Sequence, residues 1–85
     1  MTKNEMETLA DMLDYATKTH DQWIKWDKED KKTGEKWDGV THYNAGIAHG
    51  AVHELRRALL KLNVLNEIEE ILEDRRWEGW KESQR

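Results

Sequence analysis

The chain has 85 residues, a net charge of −4, no cysteine and no proline. That length accommodates one domain at most, residues 1–85, with a core so small that a solitary chain is marginal. The missing cysteines exclude disulfide staples and thiolate metal sites and fit a reducing cytoplasm, and the mild acidity argues against general nucleic-acid binding.

Hydrophobic residues are only 36% of the total and charged residues 38%, so oligomerisation is the expected remaining source of stability. Five tryptophans occur with no phenylalanine. Tryptophan is favoured where a large ring is half buried and its N–H needs a partner, which points to surfaces and interfaces. The opening Met1–Glu7 is polar and acidic, unlike a signal or transit peptide, and no run approaches the ~18 apolar residues of a membrane span.

Taken in chain order, a first helix is predicted from about Asn4 to about Asp30, with Thr2 or Asn4 as N-cap and Glu5 and Glu7 at the positive end of the dipole. Met6, Leu9, Leu13, Ala16, His20, Trp23 and Asp27 recur at steps of three and four on one stripe, apolar through Ala16 and mixed afterwards. Lys28 to Gly39 reads as the connector, with turn signals at Thr33-Gly34 and Asp38-Gly39. Within it Lys36-Trp37-Asp38 echoes Lys25-Trp26-Asp27. The echo is either a short excursion in which two tryptophans meet or a coincidence of composition.

A second helix is predicted from Thr41 or His42 to about Leu62, with Thr41 as N-cap. Its core stripe is Asn44, Ala48, Ala51, Leu55, Leu59 and Leu62, flanked by Val52 and Ala58. Asn63 ends it, since asparagine tolerates the left-handed conformation. Asn66 and Glu69 then read as a capping box opening a third helix to about Trp80, with Val64, Leu65, Ile68, Ile71 and Leu72 as its apolar face. One long helix from Thr41 to Trp77 is the alternative. The expected fold is all-α: an antiparallel helical hairpin plus a third C-terminal helix, assembled as a homo-oligomer. In that hairpin Trp23 falls opposite Ala48 and His20 opposite Ala51.

Beyond the core stripe, Gly46, His49, Gly50, His53, Arg57 and Leu60 cluster on another side of the second helix, with His42 in line at its start. Each glycine inside a helix costs about 1 kcal/mol against alanine. Either close packing against a second subunit offsets that cost, or both glycines sit in a frayed first turn. His49 and His53, at i and i+4, suit two ligands of one zinc ion, but the sequence offers no evident third, and a polar interface or ligand contact is the reading preferred. His20 reads as a satisfied core histidine bonded to Asn44 or a carboxylate. The only serine is Ser83, so nucleophilic catalysis lacks a candidate. The carboxylates Glu67, Glu70, Glu73 and Asp74 at steps of three on a helix resemble those of metal-dependent nucleotide pyrophosphohydrolases. Those enzymes need a second acidic motif, and the first helix supplies none that is clear.

The segment Arg75-Arg76-Trp77-Glu78-Gly79-Trp80-Lys81 joins guanidinium groups to rings that point away from the core stripe, as Tyr15, Thr19 and Trp26 do on the first helix. Arginine binds phosphate in bidentate fashion and rings stack on bases, so a nucleotide-sized anion between subunits would use both. The rings also serve as hydrophobic glue of an oligomer. The stretch Tyr43 to Gly50, written Y-x-x-G-x-A-x-G, followed by Glu54-Leu55-Arg56 and an apolar helix, resembles a pattern in small helical-hairpin proteins of tailed bacteriophages. That resemblance covers about the first two-thirds of the chain. It implies an anti-defence or accessory protein of the bacterial host cytoplasm, sequestering a cyclic-nucleotide or ADP-ribose-like signal or inhibiting a host defence protein.

The expected ligand-binding set, from the residues themselves, is Tyr43, His49, His53, Arg56, Arg57, Arg75, Arg76, Trp77 and Trp80. No catalytic residue, metal or cofactor is expected. A metal-dependent nucleotide hydrolase is the remaining alternative.

Overall fold

The computed structural model describes residues 1–33 and 39–84. Three helices account for nearly all of them: α1 Lys3–Thr33, α2 Val40–Lys61 and α3 Leu65–Ser83. The echo at Lys36-Trp37-Asp38 and the glycine of Thr33-Gly34 lie outside the described residues.

A reciprocal capping box opens α1. The Glu5 N–H donates to Thr2 Oγ1 and the Thr2 N–H donates to Glu5 Oε1, each at 3.1 Å. Hydrogen bonding from the Thr2 backbone N–H, and then from the Thr2 side chain, holds the Glu5 carboxyl below its ordinary pKa. The helix continues past the expected stop at Asp30 to Thr33, so Lys28–Thr33 is helix and not connector. Neither glycine nor proline interrupts it there, and Lys31 and Lys32 in its last turn suit the negative end of the dipole. The predicted stripe is the inward one: Leu13 and Asp27 are buried and Met6, Leu9, Ala16, His20 and Trp23 half-buried, with Ala10 buried beside them.

Gly39, at φ 89°, is the N-cap of α2. Thr41 is therefore inside the first turn and not the cap as expected; its hydroxyl instead donates to Asp30 Oδ2 of α1 at 2.8 Å. The left-handed conformation requires glycine, because a Cβ would crowd the following carbonyl. Among the described residues nothing lies within 4 Å of where that Cβ would be, so the penalty they impose is conformational only. Gly39→Ala should accordingly cost about 1–2 kcal/mol, read as a lower urea midpoint with an unchanged slope.

The end of α2 fits the sequence expectation, since Asn63 is left-handed at φ 62°. The Val64 N–H donates to the Leu59 carbonyl at 3.1 Å and the Asn63 N–H to that of Leu60 at 3.0 Å. These are the two bonds of a Schellman stop, sealed by burial of both Leu59 and Val64. Val64 is at once the residue after that stop and the N-cap of α3. Asn66 thus falls within the first turn, and the Asn66–Glu69 capping box does not form. Glu69 pairs instead with Arg56 of α2 at 2.6 Å. The break at Leu62–Val64 makes two helices of the stretch that also read as one.

The core of Ala10, Leu13, Leu59, Val64, Ile68 and Leu72 gathers the first half of α1, the end of α2 and the start of α3. Along α2 the expected Ala48 and Leu59 are buried and Asn44, Leu55 and flanking Val52 half-buried, joined by buried Ala45, whereas Ala51, Ala58 and Leu62 are exposed, so the inward stripe is shifted only in part. Alanines at both 48 and 51 left either stripe available, and contact with α1 selected one. Three pairs tie α2 to α1, Asp30 with Thr41, Asp27 with His42 and His20 with His49, rising along one helix as they fall along the other. His20 thus meets His49, two positions from the expected Ala51.

The molecule measures 48 × 39 × 15 Å with a radius of gyration of 15.9 Å. A compact chain of this length has a radius near 12 Å. The molecule is flat, 15 Å in its thinnest direction. From Glu73 onward every described residue of α3 is exposed. No helix among the described residues is long and apolar enough to cross a membrane.

Candidate functional site

The nine expected ligand residues separate into several places. Tyr43 lies near the start of α2, 69% exposed, beside exposed Val40 and Ile47. Those three fall at steps of three and four and flank Gly46 and Gly50, giving α2 an open apolar strip notched by glycine. Val40 and Ile47 were missed from sequence, although their spacing was the available signal. Among the described residues no side chain or distant backbone approaches within 4 Å of either glycine's missing Cβ, so none of them fills the notch.

His49 and His53 are on the exposed side of α2, as expected, with ring centroids 5.1 Å apart. His49 also reaches α1, its Nδ1 3.3 Å from His20 Nε2. Of the two partners expected for His20, Asn44 or a carboxylate, it is a carboxylate that stands near, Asp21 Oδ1 at 3.5 Å from Nδ1, while the other ring nitrogen meets His49. His42, expected in line with the open face, turns to α1, where its Nδ1 is 3.1 Å from the buried Asp27 carboxylate. Lys31 is 3.4 Å from the same carboxylate. A buried acid needs such partners, because desolvation penalises an isolated charge. Asp27 on the core stripe was the signal for this clamp.

Three of the four arginines already meet carboxylates. Arg75 bonds Asp11 of α1 at 2.6 Å, Arg56 bonds Glu69 of α3 at 2.6 Å, and Arg57 stands 3.9 Å from Glu54 on its own helix. The first two lock α3 onto its neighbours and serve the fold. Arg57 borders an open patch with Gly50, His53 and Glu54, apart from the tryptophans. Arg76 makes no ion pair among the described residues.

Trp77 and Trp80 stack on each other, centroids 4.9 Å apart and planes at 15°. Both are 54% exposed, and Lys81 Nζ stands 5.6 Å above the Trp77 ring. With Arg76, Glu73 and Asp74 they line a shallow depression of about 510 Å³. A second cleft, where the three helices meet, has Arg56, Arg76, Thr17 and Glu69 on its walls. The structure therefore brings together Arg76, Trp77 and Trp80, with Arg56 beside Arg76 on the neighbouring cleft, and separately His49, His53 and Arg57 along α2, but leaves Tyr43 and Arg75 outside both groups.

This chain matches no known protein family, curated protein or solved structure.

Ser83 hydroxyl donates to the Trp80 carbonyl at 2.7 Å near the end of α3. Among the described residues no three His, Asp or Glu side chains are already gathered around one point for a metal ion. No buried side-chain polar atom among them lacks a hydrogen-bond partner.

Proposed function

We propose that this chain is a non-enzymatic binding protein that acts as a homo-oligomer of helical hairpins and presents Arg76, Trp77 and Trp80 as its ligand platform. The observation that carries the reading is the thin, extended shape, 15 Å deep with a 15.9 Å radius of gyration, over which large apolar side chains remain uncovered. Met12 and Tyr15 on α1, Tyr43 and Ile47 on α2, and Trp77 and Trp80 on α3 are all more than half exposed. A second copy covering such faces removes apolar area from water at about 25 cal/mol per Å². The notch at Gly46 and Gly50 is where helices of two copies would approach most closely.

A guanidinium beside two ring faces suits a flat anion, so the ligand proposed is a small nucleotide-type molecule, cyclic or ADP-ribose-like, held stoichiometrically. The accessory role in a bacteriophage rests on the sequence pattern from Tyr43 to Gly50 alone. A second reading, inhibition of a host defence protein with the tryptophans as interface anchors, is favoured by Glu73 and Asp74 in the same depression. Carboxylates there repel a phosphate but suit a basic protein surface.

Thermal-shift screening against cyclic di- and trinucleotides and ADP-ribose separates the two. At 100 times Kd, a bound nucleotide adds about 2.7 kcal/mol and raises Tm by on the order of 10 °C. Arg76→Ala and Trp80→Ala should each abolish that rise while light scattering shows an unchanged oligomer mass. No shift with any nucleotide, together with co-purification of a host protein, transfers the platform to the inhibitor reading.

A further inference from the structure

The histidine pair between α1 and α2 has the dimensions of a metal chelate. Tetrahedral zinc with Zn–N bonds of about 2.0–2.1 Å sets neighbouring ligand nitrogens about 3.3 Å apart. His20 Nε2 and His49 Nδ1 are 3.3 Å apart, one from each helix. Asp21 Oδ1 stands 3.5 Å from His20 Nδ1, the ring nitrogen that does not meet His49, and metal-bound imidazoles commonly have a carboxylate near that second nitrogen. Asp21 favours a proton on Nδ1, which leaves the Nε2 lone pair facing His49. His53, one turn further along α2, packs edge-on against His49 at 5.1 Å between centroids. From sequence, His49 and His53 lacked a third ligand; the fold brings one from 29 residues away.

We propose that His20 and His49 chelate a divalent late transition metal of the zinc class across the two helices. His53 joins by rotation of its exposed ring, water fills the remaining position, and Asp21 supports His20 from outside. Imidazole nitrogens suit zinc, copper and nickel, whereas magnesium and calcium prefer oxygen donors. Two nitrogens are preset and the third is recruited. His49 and His53 are exposed, so an ion enters without disturbing the core. The bound ion would fasten α1 to α2 beside the small buried contacts of Ala45 and Ala48.

The test is calorimetric titration of the full chain with zinc chloride, paired with NMR of the imidazole ring protons. The expected result is one ion per chain, with the His20, His49 and His53 resonances moving together and His42 unmoved. His20→Ala and His49→Ala should each lower affinity by more than the roughly 10–100-fold that loss of an outer partner costs, and Asp21→Asn by about 10-fold. Circular dichroism of each variant checks that it remains helical. The proposal is overturned if zinc binds no single saturable site, or if His20→Ala binds as tightly as the parent. The latter result would place the ion on the His49–His53 turn alone.

Discussion

Leu59→Ala is expected to be the most damaging single substitution in the protein, costing about 2–5 kcal/mol. Leu59 is 1% exposed and packs in the core with Leu13 and Ile68, and its carbonyl also accepts the Val64 N–H that ends α2. Truncation would leave a cavity at the one place where all three helices meet. Whole domains are stable by only about 5–15 kcal/mol, and a chain this short sits toward the low end. The urea midpoint, followed by circular dichroism, should fall steeply, while Leu59→Met, which conserves volume, should cost under about 1.5 kcal/mol. An Ala variant with the parent midpoint would mean that α3 does not dock on α2 through this residue.

The second large effect concerns association. Replacing both Gly46 and Gly50 with leucine should reduce the proposed oligomer to single chains, because bulk in the notch prevents close approach of a second helix. In the isolated chain nothing among the described residues stands within 4 Å of either new Cβ, so substitution there meets no clash with them. Each Gly→Ala change should then stabilise α2 by about 0.8–1.0 kcal/mol through helix propensity. The two readouts therefore move in opposite directions: mass by light scattering falls, while the melting temperature of the dissociated chain rises above what its own dilution would give. An unchanged mass in the leucine variant would remove the notch from the interface.

How much was legible beforehand differs by element. The inward face of α1 was readable because Met6, Leu9 and Leu13 contrast sharply with their polar neighbours, and a helix has only one stripe at that spacing. The stop at Asn63 was readable because few residues other than glycine and asparagine accept a positive φ. The start of α3 was misread because Asn66 and Glu69 have capping-box spacing, yet the Schellman stop had already set Val64 as the cap and Arg56 had claimed Glu69. The inward face of α2 was misread in part because alanine fits either stripe. As for the ligand residues, periodicity placed them on outward faces, but ion pairing of Arg56 and Arg75 depends on carboxylates 13 and 64 residues away.

Local chemistry thus fixed what needs only neighbours in the chain: helix content, Asn63 as a residue able to stop α2, and the polar or apolar character of each face. Meetings between residues distant in sequence awaited the packed helices, because periodicity gives a side chain's angle about its own axis and says nothing of which partner stands opposite. His20 against His49, His42 against Asp27 and Arg75 against Asp11 are of that kind. So is the flat shape, which is set by how the three helices pack and not by the pattern along any one of them.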